Sequence, residues 1–237
     1  MNNYPLPKEI LEEKIGYKFK DEKILNTALS HSSYVNEQKA HKKMCECNER
    51  LEFLGDSVLS LIVSEYLYDR FKNSPEGDLT KIRASVVCSA SLSKLAEKIE
   101  LGKFLLLGKG EEENGRTNPK ILENAFESLL AAIYLDSGHS KNVVENFLMP
   151  IIIPRIDDAA LDEMAFDHKT RLQQFVQAAG KERLQYAVVS ESGPDHLKTF
   201  EVEVRLNSNI VGRGVGRTKR EAEQNAAKEA LKLFDVK

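Results

Sequence analysis

The sequence predicts two domains, an all-α domain over residues 6–153 and a small α+β domain over residues 166–236. Two observations support this division. Apolar residues recur at helical spacing through the first region, whereas Val-rich segments at 186–191, 199–206 and 210–215 alternate apolar and polar residues as strands do. Helical patterns flank these three segments, so the second domain has the order α-β-β-β-α.

The segment 154–165 separates the two patterns and is predicted to be a linker. It begins with Pro154 and carries the acidic pair Asp157-Asp158. Before it, the strongest helical patterns are at 51–67 and 121–135, and Gly- or Pro-bearing stretches punctuate them.

The composition is that of a globular protein, with 41% hydrophobic and 30% charged residues in a chain of 237. No apolar run approaches the ~20 residues of a membrane span, and the N-terminus lacks the apolar core of a signal peptide. The chain has only three cysteines, and this small, odd number predicts free thiols in a reducing cytoplasm.

Charge is distributed unevenly along the chain. Residues 166–237 carry 13 Lys and Arg against 10 Asp and Glu, a net charge of +3, while residues 1–165 carry a net charge of −6. This asymmetry indicates that the two domains have different tasks.

An acidic helix face is predicted in the first domain. Glu49, Glu52 and Asp56 are three and seven residues apart, which places them on one side of a helix whose other residues are largely apolar. Like charges beside a core are unfavourable unless something neutralises them, and Mg²⁺ prefers carboxylate oxygens. A solvated acidic face is the alternative interpretation of the same pattern.

A second acidic helix could complete such a site. Glu123 and Glu127 lie four residues apart with Asn124 between them, and Glu76 lies in a Pro-Glu-Gly-Asp segment that is predicted to be a turn. Together these residues could bind magnesium for phosphodiester hydrolysis.

The segment 48–59, Asn-Glu-Arg-Leu-Glu-Phe-Leu-Gly-Asp-Ser-Val-Leu, resembles the signature of the ribonuclease III family. The resemblance extends to segments 28–34, 76–79, 82–84 and 121–136. It implies a double-stranded-RNA endonuclease that works as a homodimer with divalent metal, Mg²⁺ or alternatively Mn²⁺, and without an organic cofactor. Each of the two sites would cut one strand.

The resemblance also implies roles for individual residues. Glu52, Asp56 and Glu127 match the family's metal ligands, and Asp56 and Glu127 are the predicted catalytic pair. By the same resemblance, Glu49 and Glu76 match acidic residues that the family places near the cleft and the dimer contact. Phe53 matches an apolar residue that the family inserts into its partner subunit, and an ordinary core position is the alternative for Phe53.

Asn124 departs from the family pattern, because the family usually has Asp at this position. An amide oxygen can still bind a metal ion, but it contributes no charge, and the site has one carboxylate fewer. Three explanations are open: a tolerated variant assisted by Glu123, a change that traps an uncut complex, or a catalytically weakened member.

Segments 193–196 and 198–200 resemble the loop between the first two strands of a double-stranded-RNA-binding domain, and segments 212–216 and 218–222 resemble the turn into its last helix. Lys219 and Arg220 lie in the first turn of its last helix, where the helix dipole disfavours cations unless phosphates bind there. Thr218 and Glu221 form a capping-box pattern at the same helix start. The resemblance implies that the RNA-binding residues are Thr170, Gln173, Gln174, His196, Lys219 and Arg220.

The predicted function is therefore cleavage of duplex RNA in ribosomal and messenger RNA precursors. The alternative is a double-stranded-RNA-binding protein whose cleavage is impaired by Asn124.

Overall fold

A computed structural model of the chain describes residues 5–42, 44–72, 74–166, 168–180, 183–194 and 198–235. The chain forms two compact units, Met1–Ala159 and Ala160–Lys237. The described part of the first unit is helical apart from turns and one isolated bridge, and that of the second combines helices with one sheet. The predicted fold class, all-α followed by α+β, is confirmed.

Among the described residues, the first unit contains seven α-helices, and an eighth begins in this unit and continues past its boundary at Ala159. They are α1 (Lys8–Ile15), α2 (Glu22–Leu29), α3 (Ser32–Ala40), α4 (Glu49–Arg70), α5 (Glu76–Val86), α6 (Ser89–Lys98), α7 (Pro119–Asp136) and α8 (Lys141–Phe166). Short 3-10 turns at Leu101–Phe104 and Gly115–Thr117 connect α6 to α7.

Helix α7 is the centre of the first unit, and α2, α4 and α6 pack against it. It is buried almost all round, including the continuous run 125–133. Its start is well defined, because the Asn118 side chain accepts a hydrogen bond from the Lys120 N–H and Pro119 fits the first helical position. The Ser128 hydroxyl lies 3.1 Å from the Asn48 carbonyl oxygen, which joins α7 to the residue preceding α4.

The predicted linker is helical. Helix α8 continues through residues 154–165 with Pro150 and Pro154 inside it. Proline removes one helical hydrogen bond and can kink a helix. Here the four-residue spacing of Ile152, Ile156 and Ala160 places buried apolar side chains on one face, and their burial compensates for that cost.

The Pro-Glu-Gly-Asp segment is also different from the prediction, because it begins a helix. Pro75 is the cap residue and Glu76 is the first residue of α5. The acidic side chains of Glu76 and Asp78 then lie in the first turn, where the helix dipole favours negative charge.

The second unit contains α9 (His168–Ala179), β1 (Leu184–Ser192), β2 (Thr199–Leu206), β3 (Asn209–Gly216) and α10 (Lys219–Leu233). The strands form an antiparallel sheet in the order β1-β2-β3. The alanine face of α10 packs closely on β3. A Cβ on Gly214 would lie 2.1 Å from the backbone nitrogen of Ala226, so the strand needs glycine there.

No helix in the described ranges is both long enough and apolar enough to cross a bilayer.

Candidate active site and nucleic-acid interface

Helix α4 supplies the first part of the acidic site. Glu49 is its first residue, and Glu52 and Asp56 follow one and two turns later. Asp56 is exposed and Glu52 is half-buried. Burial raises the pKa of Glu52, the charges of Glu123 and Glu49 raise it further, and the charge of Lys120 opposes the shift. Glu52 therefore shares its electrostatic environment with residues of α7.

Glu127 is the buried member of the site, with only 7% of its surface exposed. Burial raises the pKa of its carboxyl to about 8, and the negative charges of Asp56, Glu123 and Glu52 add to this effect. The structure thus brings the acidic groups of α4 and α7 within electrostatic range of each other. A carboxylate in this position is costly without a neutralising cation.

The acidic side chains do not already form a cage. Among the described residues, no three His, Cys, Asp or Glu side chains are grouped closely enough to hold a metal ion.

Asn124 carries an unsatisfied oxygen. Its Oδ1 atom is buried and has no hydrogen-bond partner among the described residues. A buried acceptor without a partner costs free energy, and a hard cation or its bound water would satisfy it. The donor set of carboxylates and one amide oxygen fits Mg²⁺ or Mn²⁺.

Lys120 is a residue of this site that the sequence pattern did not indicate. Its Nζ atom lies 3.0 Å from Glu123 Oε2, and its pKa is raised by the hydrogen bond with Glu123 and by the charges of Glu123, Glu52 and Glu127. Because lysine is common on protein surfaces, nothing in the sequence distinguishes Lys120 from a solvated surface residue.

Phe53 lies on the exposed side of α4, with 79% of its surface accessible. A pocket of about 800 Å³ lies beside it and is lined mainly by apolar atoms, together with Glu49, Arg50 and Lys23. An exposed aromatic side chain next to an apolar pocket is typical of a protein interface. Glu76 lies at a second pocket, between α4 and α5, and its Oε1 atom accepts a hydrogen bond from the Thr80 hydroxyl.

The predicted RNA-binding residues occupy two helices of the second unit. Thr170, Gln173 and Gln174 are exposed on α9, and Lys219 and Arg220 are exposed at the start of α10. His196 lies outside the described residues.

The start of α10 is capped largely as predicted. The Thr218 hydroxyl accepts a hydrogen bond from the Glu221 N–H at 3.1 Å. The Glu221 carboxylate reaches back one residue further than expected, because it accepts from the Arg217 N–H at 2.7 Å. Lys219 Nζ lies 5.6 Å from the centroid of the Phe200 ring. Two basic side chains therefore project from a firmly capped helix start.

Comparison with known proteins places this chain in a family. The family model described as Ribonuclease-III-like matches residues 21–156, and the model described as double-stranded RNA binding motif matches residues 168–233. The chain belongs to the ribonuclease III family.

Relatives of the ribonuclease III family resemble the chain over nearly its whole length. The chain is 49% identical to Ribonuclease 3 of Oceanobacillus iheyensis over 93% of this chain and 95% of that protein. It is 48% identical to Ribonuclease 3 of Geobacillus thermodenitrificans over 94% of this chain and 89% of that protein.

A solved structure shows the same nuclease fold. The nuclease domain of ribonuclease III from Campylobacter jejuni is 39% identical to this chain, with a TM-score of 0.56 over 63% of this chain and 98% of that domain. That domain is described as structurally flexible in a region involved in dimer formation.

Membership of the ribonuclease III family identifies the activity. The chain is a double-stranded-RNA-specific endoribonuclease, with a nuclease domain followed by an RNA-binding domain. Enzymes of the ribonuclease III family generally depend on divalent metal ions.

Proposed function

We propose that this member of the ribonuclease III family cleaves duplex RNA with Mg²⁺, or Mn²⁺ in its place, bound by Glu52, Asp56 and Glu127 with Asn124 as a neutral oxygen ligand. The observation that carries the proposal is the buried Glu127, whose pKa is raised to about 8 beside the carboxylates of α4. A divalent ion would neutralise this charge concentration. When bound, it supplies an activated water and stabilises negative charge on the phosphate.

The residues of the chain have separate tasks in this proposal. Asp56 and Glu127 are the predicted catalytic pair, and Glu52 completes the carboxylate set from the first turns of α4. The buried Oδ1 atom of Asn124 offers a further oxygen without charge.

The active enzyme is proposed to be a homodimer. The exposed Phe53 and the neighbouring apolar pocket on the same face could engage their counterparts in a second copy. In a symmetric dimer each copy contributes both a projecting side chain and a pocket. Glu49, which lines that pocket, and Glu76 would then lie at the dimer contact or along the cleft.

The second domain is proposed to hold the duplex by its shape. The exposed polar side chains of α9, Thr170, Gln173 and Gln174, suit contacts with 2′-hydroxyls in the shallow minor groove. Lys219 and Arg220 suit the phosphates across the major groove. His196 is assigned to a further minor-groove contact by family resemblance alone.

The proposed substrates are the long stems of ribosomal and messenger RNA precursors, and the proposed compartment is the cytoplasm. The free thiols of Cys45, Cys47 and Cys88 are consistent with reducing conditions.

A second candidate function rests on Asn124. Its amide contributes no charge, so the site lacks one carboxylate that the family usually has. The chain would then bind duplex RNA and cut it poorly or not at all.

One assay separates these functions. Labelled duplex RNA is incubated with Mg²⁺ and either the purified chain, Asn124→Asp or Glu127→Gln. The proposal predicts cleavage by the first two proteins and none by Glu127→Gln. Cleavage by Asn124→Asp alone would instead support the impaired-site function. Failure of all three proteins to bind the duplex would contradict both candidates.

A further inference from the structure

The start of α9 is held by a side chain of another helix. Gln224 of α10 is only 7% exposed, and its Oε1 atom accepts a hydrogen bond from the Lys169 N–H at 2.9 Å. Lys169 is the second residue of α9, so this N–H is one of the four at a helix start that have no partner within the helix. Gln224 therefore caps α9 from outside it.

An ion pair adds a second attachment at the same point. Lys169 Nζ lies 2.7 Å from Glu223 Oε2 of α10, and it also lies 4.4 Å from the centroid of the Tyr186 ring in β1. The first turn of α9 is thus tied both to α10 and to the sheet.

Apolar packing alone places few constraints on where α9 lies along α10. The buried face of α10 consists largely of small side chains, which form only shallow ridges: Ala222, Ala226, Ala227 and Ala230. A hydrogen bond is directional, and a satisfied buried polar contact specifies one arrangement of the elements that it joins. The contact between Gln224 and Lys169 therefore fixes the position of the start of α9.

The two helices joined here carry the two sets of proposed RNA-binding residues. The polar residues of α9, at 170–174, directly follow Lys169, and the basic pair at 219–220 lies about one turn before Glu223 on α10. A domain that contacts a minor groove with one helix and phosphates across the major groove with the other needs a defined separation between them.

We propose that Gln224 is a positioning residue for duplex RNA. Its bond to the Lys169 N–H, supported by the pair of Lys169 and Glu223, holds the minor-groove side chains of α9 at the separation from the start of α10 that an A-form duplex requires. This inference rests on the proposed RNA contacts of both helices. Gln224 itself is buried and acts through α9.

The test is whether the RNA contact of α9 loses its value when Gln224 is changed. Affinity of the full chain for an RNA duplex of about 20 base pairs, longer than one such domain spans, is measured by fluorescence anisotropy in a chelator. Gln173→Ala probes the contact of α9, and Lys219→Ala with Arg220→Ala probes that of α10. Each probe is measured in the wild type and in Gln224→Met, which keeps the length of the side chain but removes its acceptor oxygen.

We expect Gln173→Ala to weaken binding about fivefold in the wild type, the usual contribution of one hydrogen bond, and less than about twofold in Gln224→Met. The double substitution at 219 and 220 costs the same factor in both backgrounds, because the Thr218 cap holds that helix start independently of α9. Lys169→Met loses the ion pair but keeps the backbone bond, so it lowers the cost of Gln173→Ala only to about threefold.

Two controls separate positioning from a general loss of stability. Gln185→Met makes the same chemical change at an exposed residue of β1 and leaves both costs at their wild-type values. Val204→Ala destabilises the core of the same domain. A partly unfolded population weakens all binding by one factor, so Gln173→Ala still costs about fivefold in Val204→Ala. Thermal unfolding shows whether each variant is folded.

A cost of Gln173→Ala that stays at the wild-type value in both Gln224→Met and Lys169→Met would overturn the inference. If Gln224→Met does not fold, Lys169→Met decides alone. A cost that falls equally in Val204→Ala would overturn it as well. If Gln173→Ala costs nothing in the wild type, the proposed contact of α9 fails and the inference with it. Cleavage of duplex RNA by the wild type with Mg²⁺ is measured separately, and the proposed nuclease function stands or falls on that result alone.

Discussion

The backbone of Gly55 in α4 lies directly against the backbone of Glu127 in α7. A Cβ atom at position 55 would lie 1.9 Å from the Glu127 carbonyl oxygen and 2.4 Å from its carbonyl carbon. No side chain fits in this space, so the absence of a Cβ sets the distance between the two helices. Asp56, the next residue, and Glu127 both belong to the acidic site, so the same contact positions its two halves.

Gly55→Ala is expected to destabilise the first domain by roughly 1–3 kcal/mol, because there is no space for the added methyl group between the backbones of α4 and α7. Cleavage of duplex RNA falls as well, since the helices that carry the acidic groups move apart. The measurements are denaturant unfolding followed by circular dichroism and the rate of RNA cleavage.

Gly77→Ala is the matched control for this substitution. Gly77 is also helical, in α5, and a Cβ there meets no atom within 4 Å. Alanine should leave stability unchanged or raise it by up to about 1 kcal/mol, because it favours helix more than glycine does. Similar destabilisation by Gly55→Ala and Gly77→Ala would show that the close contact does not matter.

Glu127 should make the metal-free protein less stable as pH rises. Its folded pKa, about 8, is above the ordinary value, so the folded state favours the protonated carboxyl. The stability that the protonated Glu127 contributes to the folded state is fully present below the ordinary pKa of glutamate, and it is lost as pH rises through about 8. In the presence of a chelator, the unfolding free energy of Glu127→Gln minus that of the wild type should increase by on the order of 2 kcal/mol across this pH range.

The measurement is unfolding of both proteins across this pH range, first with chelator and then with Mg²⁺. Added Mg²⁺ should reduce the pH dependence of the wild type, because the ion stabilises the ionised carboxylate. Parallel stability curves for wild type and Glu127→Gln in the chelator would contradict the raised pKa.

Phe53→Ala should weaken self-association about tenfold or more, because a central aromatic side chain of an interface contributes much of its binding energy. The fold of the separate chain should be little affected, since Phe53 is largely exposed. Sedimentation equilibrium over a range of concentrations measures the change. Leu233→Ala, which removes an exposed apolar side chain of α10, is the control and should leave association unchanged. An unchanged association constant for Phe53→Ala would remove Phe53 from the dimer contact.

Lys219→Ala combined with Arg220→Ala should weaken binding of unrelated RNA duplexes by similar factors, because phosphate contacts carry no sequence information. The slope of log affinity against log salt concentration should decrease in magnitude by about two, since each of the two cations would neutralise one phosphate.

Lys228→Ala with Lys232→Ala removes the same charge from the later turns of α10 and is the control. A salt slope that decreases equally in both double variants would indicate a general charge effect rather than phosphate binding at the helix start.

Local patterns were enough to predict most of the second domain. The three strands agree with the observed elements to within about two residues, and the last helix begins directly after the predicted Thr218 cap, because alternating residues in strands and a cap are signals carried by adjacent residues. The helical course of 154–165 was not predictable in this way. Pro154 is a local signal against helix, whereas the burial of Ile156 and Ala160 depends on tertiary packing.

The acidic site was predictable only in part. Helical spacing indicated the acidic residues of α4 and α7, Glu123 included, and family resemblance indicated Glu52, Asp56 and Glu127. The contact of Lys120 with Glu123 was not indicated, because it depends on how the side chains lie in the fold. Spacing along a helix does not specify how far a long side chain reaches or what covers it. The partnerless Oδ1 atom of Asn124 is likewise a property of the fold rather than of the residue type.

The proposed nuclease chemistry requires acidic groups of α4 and α7 to bind one divalent ion together. Anomalous diffraction from crystals of the full chain grown with Mn²⁺ is the sharpest test of this requirement. We expect an anomalous peak about 2.0–2.3 Å from carboxylate oxygens of Glu52, Asp56 and Glu127. A crystal of protein that cleaves duplex RNA with Mn²⁺ but shows its anomalous peak away from these three residues would contradict it.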